Sequence, residues 1–355
     1  MKITKKLQTI VTPFSARRVL HGVSIALFLA ASSMASAVTP QIVEYSAGIS
    51  PSAFPAYITA GPDGNLWFTE VNANKIGRIT TDGVVTEFTA GITPFSGPTG
   101  ITAGPDGNMW FTEQADSNGN FGGRIGRITP DGVVTEFQGG LVSPEVPFGI
   151  TSGPDGNLWF TVTEFTGSHS LGKIGRITTD GVITIFEDGI SQDSGPLLIT
   201  TGPDRNLWFT QSAVPGLAKI TTDGVVTEYS DRIRSQGSAW GVTRAPDGNI
   251  WFTKAFNPFT QQNAAVGKIT PDGVATETRL PNATADPRGI IFYRKALWFT
   301  EYGADKIGRM TLSGELTEYG GISQFAGAYA ICVGPDGNLW FTELFGNRIG
   351  KVILH

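Results

Sequence analysis

Seven tryptophans, Trp67, Trp110, Trp159, Trp208, Trp251, Trp298 and Trp340, follow one another at spacings of 43, 49, 49, 43, 47 and 42 residues. Each sits in one recurring phrase, clearest as Ile58-Thr-Ala-Gly-Pro-Asp-Gly-Asn-Leu-Trp-Phe-Thr-Glu70. The phrase returns at Ile101 to Glu113, Ile150 to Val162, Ile199 to Gln211, Val242 to Lys254, Ile290 to Glu301 and Ile331 to Glu343. Periods of this size belong to propellers or helical solenoids, and no helical periodicity runs through these repeats. The second repeat reads as four short strands: one around Ile101-Thr102, Met109 to Thr112, Ile125 to Ile128 and Val133 to Phe137. Pro-Asp-Gly-Asn and Thr-Pro-Asp-Gly turns punctuate them, with glycine free to take positive φ. The second strand is apolar on both faces, as a strand packed between neighbouring blades must be. Four strands in each of seven units predict an all-β, seven-bladed propeller.

The ends predict how the ring closes. Gln41 to Tyr45 resembles a fourth strand with no preceding three, whereas the last repeat stops after its third strand at Arg348 to Val352. The N-terminal strand is therefore expected to complete the last blade and remove an exposed edge.

Residues 1–37 read as a leader rather than as fold. Lys2, Lys5, Lys6, Arg17 and Arg18 form a basic segment, Val23 to Ala31 is a short apolar run, and Ala35-Ser36-Ala37 is a small-residue cleavage site. The apolar run is too short to span a bilayer. Arg17-Arg18 also loosely resembles a twin-arginine signal, so the export route stays open. An exported protein, periplasmic or secreted, is expected, with residues 38–355 as one monomeric domain. The leader takes five of the 26 basic residues and no acids, leaving 21 basic against 31 acidic, a net charge of −10. Such a chain is a poor partner for nucleic acid or an anionic membrane. Cys332 is the sole cysteine, so no intrachain disulfide can support the core.

A blade puts its first-to-second and third-to-fourth turns on one face, where this sequence is monotonous. The uneven loops lie on the other face, after Glu113, after Val162 (through Ser168-His169-Ser170) and after Lys254 (Pro258 to Ala265). Loops that vary on one face of a repeat scaffold usually build its binding surface. Two rings of positions are expected to open there near the axis. One ends the second strands: Glu70, Glu113, Val162, Gln211, Lys254, Glu301 and Glu343. The other precedes the first strands' Ile or Val by two residues: Ala56, Thr99, Phe148, Leu197, Trp240, Arg288 and Tyr329. Trp240, Phe148, Tyr329, Arg288, Glu70 and Glu113 thereby become candidate ligand contacts, suited to a small organic or cyclic peptide ligand with at most one hard cation. Alternatively, the acids are products of the repeat, solvated at a channel mouth. The acidic turns lack the dense oxygen alternation of a calcium loop, and hairpin geometry accounts for them.

The phrase Ile-Thr-x-Gly-Pro-Asp-Gly-Asn-Leu-Trp-Phe-Thr-Glu, with Lys-Ile-Gly-Arg-Ile and Thr-Glu-Phe, resembles the repeat of the virginiamycin B (streptogramin B) lyase family from about Gln41 to Val352. The resemblance implies a carbon–oxygen lyase that linearises cyclic depsipeptide antibiotics by elimination at an ester. It implies a histidine base and a Mg2+ ion held by carboxylates, a base and a Lewis acid for one α-proton abstraction. Carried over, the two functional histidines fall on Arg288 and Tyr329, and the metal acids on Gly327 and Glu343. Only Glu343 keeps the expected type. Beyond the leader the histidines are His169, read as an exposed loop residue, and the terminal His355. A substitute set is conceivable, with Asp286 and Glu301 as the metal pair one blade earlier, Glu343 as base and Tyr329 as proton donor. Arg288 stays protonated and cannot be the base. Two readings follow, a lyase and a non-catalytic binding propeller of the cell envelope. Seven repeats argue against a third, a six-bladed lactone hydrolase.

Overall fold

The computed structural model describes residues 40–167, 169–213, 216–229, 238–255 and 264–355. The leader, Ser168 and most of the loop after Lys254 lie outside the described residues. Among the described residues there is no helix, and the strands form seven antiparallel four-stranded sheets. Blades 1 to 6 take their strands in chain order from residues 55–88, 98–137, 145–186, 196–228, 239–279 and 287–319. Blade 7 takes three strands from 328–353, and Gln41–Tyr45 is its fourth, pairing antiparallel with Arg348–Ile353. The register runs from Gln41 opposite Ile353 to Tyr45 opposite Ile349. The seam is thus the one the chain ends predict, and the molecule is a seven-bladed β-propeller.

The core is divided among the blade interfaces. Trp67, Ile76, Met109 and Phe111 pack between blades 1 and 2, and an equivalent cluster fills each other interface, ending with Phe68, Trp340 and Ile349 between blades 7 and 1. Each fully buried tryptophan removes roughly 200 Å² from water, about 5 kcal/mol before the entropy of ordering is charged against it. The turn supplies the indole's polar partner. Asp63 Oδ1 accepts from Trp67 Nε1 at 3.0 Å and from the backbone N of Asn65 at 3.2 Å. The pattern repeats from Asp106 to Trp110, Asp155 to Trp159, Asp204 to Trp208 and Asp336 to Trp340. The turn acids therefore serve the core. The third-strand glycine makes room for the phenylalanine in six blades, since a Cβ on Gly77 would lie 2.1 Å from the Phe68 ring, whereas blade 4 accommodates Ala218 opposite Phe209.

Two hairpins run longer than expected. The second strands of blades 2 and 3 continue to Ala115 and Phe165, and the third begin at Phe121 and Ser170. Much of what reads as loop after Glu113 and Val162 is paired strand projecting from the uneven face.

Candidate functional site

A bulge and a threonine position the inner ring in every blade. The first strand shifts register against the second between Pro55 and Ile58, and at the equivalent place in the other six blades. Bulges of this kind re-aim side chains. The second-strand threonine then pins the bulged backbone across the interface. Thr69 Oγ1 donates to the carbonyl of Thr99 (2.7 Å), Thr112 to Phe148 (2.6 Å), Thr210 to Trp240 (2.9 Å), Thr253 to Arg288 (2.6 Å) and Thr300 to Tyr329 (2.7 Å). Thr342 donates to Ala56 at 2.6 Å and closes the circle. The acceptors are the ring positions singled out in the sequence, each tied to the preceding blade.

From this frame aromatic side chains converge on the axis. Tyr329 lies 5.4 Å from Tyr57, 6.3 Å from Trp240 and 6.1 Å from Tyr302 between ring centroids, all edge-on. Tyr57 reaches Phe148 at 6.0 Å, so blades 1, 3, 5, 6 and 7 meet in one half-buried cluster. The Arg288 guanidinium lies 3.5 Å from the Trp240 ring centroid and 4.9 Å from that of Tyr302, and Nη2 pairs with Asp286 Oδ2 at 2.6 Å. Asp286 holds that position at a φ of +46°. Burial raises the phenol pKa values of Tyr57, Tyr329 and Tyr302, so all three remain neutral hydrogen-bonding groups. Phe148, Trp240, Arg288 and Tyr329 are thus brought together as expected. Ala56, Thr99 and Leu197 are buried instead.

Tyr57, Tyr302 and the rim residue Phe345 (5.8 Å from Tyr302) are additions. A signal for Tyr57 existed: the corresponding residue is glycine at 100, 149, 241 and 289.

The second ring requires a correction. Glu70, Glu113, Glu301 and Glu343 do not open on the face, because each is 0% exposed inside the blade packing. Each faces a fourth-strand glutamate, Glu87, Glu136, Glu318 and Glu44 in turn, beside a third-strand Lys or Arg. Burial first, and the neighbouring carboxylate second, push Glu70, Glu113 and Glu343 up to about 8 and Glu301 to about 7. The other blades solve the same crowding differently. Blade 4 has Gln211, whose amide donates to Glu228 at 2.5 Å, and blade 5 has Lys254, 3.4 Å from Glu277. Blade 3 has Val162 and Ile185 at the paired positions, and Lys173 turns to Glu145 and Glu164. His169 is 55% exposed and pairs with Asp193 at 3.0 Å, a rim position consistent with the loop reading.

A family model described as the virginiamycin B lyase family matches residues 31–165 and 164–355. The chain belongs to the virginiamycin B lyase family. A streptogramin B lyase structure is 31% identical with a TM-score of 0.76, covering 90% of this chain and 99% of its own. A catalytically inactive histidine-to-alanine variant of virginiamycin B lyase from Staphylococcus aureus, solved with quinupristin, is 32% identical with a TM-score of 0.76, covering 89% and 100%. A virginiamycin B lyase from Nocardia farcinica is 37% identical over 78 residues, which spans 22% of this chain and 28% of the Nocardia protein.

The family's implied base and magnesium ion set a test for these residues. At the two histidine positions stand Arg288, folded onto Trp240 and paired with Asp286, and the phenol Tyr329. Gly327 offers no side chain, and its φ of +66° disfavours one. Glu343 is buried near Arg348 and Glu44, and Glu301 near Glu318 and Lys306. Asp286 gives its Oδ2 to Arg288, while its Oδ1 is buried without a hydrogen-bond partner among the described residues. Among the described residues no three of His, Cys, Asp and Glu converge as a metal site. The substitute set of Asp286, Glu301, Glu343 and Tyr329 therefore does not form a magnesium centre in this geometry, and the donors do not fit the ion.

Proposed function

We propose that this family member captures a cyclic depsipeptide of the streptogramin B class on the axial aromatic cluster, without histidine- and magnesium-dependent elimination. The observation that carries the reading is Arg288. At a position where the family resemblance calls for an imidazole base, a guanidinium lies on Trp240 and is held by Asp286. Such a group donates hydrogen bonds to carbonyls but accepts no proton. Half-buried aromatic faces beside one fixed donor suit a ring-rich, carbonyl-rich ligand. Membership of the family supports the ligand class, and the leader at residues 1–37 supports export to the periplasm or beyond, where such a compound is met first.

Trp240 reports on this site by itself, because the seven repeat tryptophans are 3% exposed or less. Titration with a streptogramin B should give a saturable change in tryptophan fluorescence that Trp240→Phe removes. Trp240→Ala and Tyr329→Ala should each weaken binding measured by calorimetry by about tenfold or more. No linearised product should form over hours with magnesium present. A linearised product would overturn the absence of elimination. Absence of binding at roughly 100 µM ligand, a free energy of only about −5 kcal/mol, would overturn capture.

A further inference from the structure

On the uneven face, away from Arg288, the paired hairpins of blades 2 and 3 and the entry to blade 4 enclose a cavity of about 380 Å³. Its walls come from three blades. Phe121 and Phe165, from the extended hairpins, stack at 4.9 Å and form one side. Val146, Phe148 and Leu197 form another, and Phe148 also touches Tyr57 of the axial cluster. Thr163, Ser170 and Ser212 supply uncharged polar groups, and among the described residues no charged side chain lines the space. The two phenylalanines remain 54% and 43% exposed although they stack on each other. Leaving two aromatic rings half in water at the mouth of an apolar hollow is costly unless something covers them.

We propose that this cavity is a second binding pocket, taking a neutral aryl group of one or two rings attached to a hydrogen-bonding amide or hydroxyl. Size selects the occupant, since the volume lies at the lower end of small-molecule sites. Charge selects it as well, because an ionic group here would lose water and gain no counter-charge. Phe121 and Phe165 give it two ring surfaces for offset or edge contact, and Ser170 or Ser212 gives it a polar anchor. The pocket shares Phe148 with the axial cluster but neither Arg288 nor Trp240, so variants that fill it leave the residues on which depsipeptide capture rests untouched.

The test uses the neutral fluorophore N-phenyl-1-naphthylamine with the full protein. Saturable fluorescence enhancement at one probe per chain is expected. Ala213→Trp, from the blade 4 turn after Gln211, and Thr163→Phe, from a blade 3 strand, fill the cavity from two sides and should each weaken probe binding about tenfold or more, and Phe165→Ala by a similar factor. Val84→Trp, on an exposed turn of the opposite face, should leave it unchanged. Thermal melts identify any variant that fails to fold, and the remaining filled variant then carries the comparison. Wild-type affinity in a folded, filled variant, or a binding stoichiometry well above one, would overturn the pocket.

Discussion

Glu70 keeps its proton to about pH 8 because burial and the nearby Glu87 both oppose its charge, whereas a glutamate in the unfolded chain ionises near 4.5. Between those values the folded chain holds more protons than the unfolded one, so stability is greatest at the acid end of the window and is lost as pH rises through about 8. Glu113 and Glu343 act alike, and Glu301 ends its window near 7. Glu87 acts oppositely and below that window. Burial raises its carboxyl, but hydrogen bonds from Lys75 and Ser50 outweigh this and hold it low, so its contribution fades as pH falls. Blade 4 carries a natural version of the neutral pair in Gln211 and Glu228. Glu70→Gln should therefore match the wild type in calorimetric Tm near pH 5 and exceed it near pH 9. Equal slopes of Tm against pH for the two proteins would refute the raised pKa of Glu70. The ring position of these acids was legible from the repeat, but their environment was not. A constant offset locates a residue along a strand, whereas its exposure depended on partners such as Glu44, 299 residues away from Glu343 in sequence.

Strand pairing decided what local composition left ambiguous. Phe121-Gly-Gly-Arg124 reads as loop because glycine punctuates it, yet Ala115 opposite Phe121 and Glu113 opposite Arg124 draw it into the ladder. The same cooperation between strands governs the blade seams. Thr342 Oγ1 accepts from the backbone N of Ala330 at 3.0 Å and donates to Ala56 at 2.6 Å, serving its own blade and the next. Thr342→Val keeps the shape and orphans both backbone groups, so a loss of about 1–3 kcal/mol is expected in denaturant unfolding. A change below about 0.3 kcal/mol would mean that the hydroxyl contributes little to closure. The terminal strand invites the opposite change. Gln41→Cys with Ile353→Cys joins directly paired positions across the seam, and the disulfide should add about 2–4 kcal/mol when oxidised. A gain that persisted after full reduction would show that the cross-link was not its source.

Fold and function separate most clearly at the level of the whole ring. Blade number, strand count and closure were all legible because the seven repeats carry nearly the same physical instructions. All seven have a threonine for the next blade. A turn acid serves the indole in every blade but the sixth, where Trp298 donates to the Tyr293 carbonyl, and a glycine lies against the phenylalanine ring in every blade but the fourth, which has Ala218. The aromatic cluster was half legible. Phe148, Trp240, Arg288 and Tyr329 share one offset, while Tyr302 and Phe345 come from second-to-third turns whose direction only the assembled ring defines. The cavity between blades 2 and 4 was not legible, because none of its three contributing blades contains it alone. Closure also sets an order of events. Among the described strands, Gln41–Tyr45 comes first in the chain and its ladder partner, Arg348–Ile353, comes last. During synthesis Gln41–Tyr45 thus stays without its ladder partner until Arg348–Ile353 has been made, and a contact spanning so much sequence is slow to form. The first of the described strands to be made is the last to find its place.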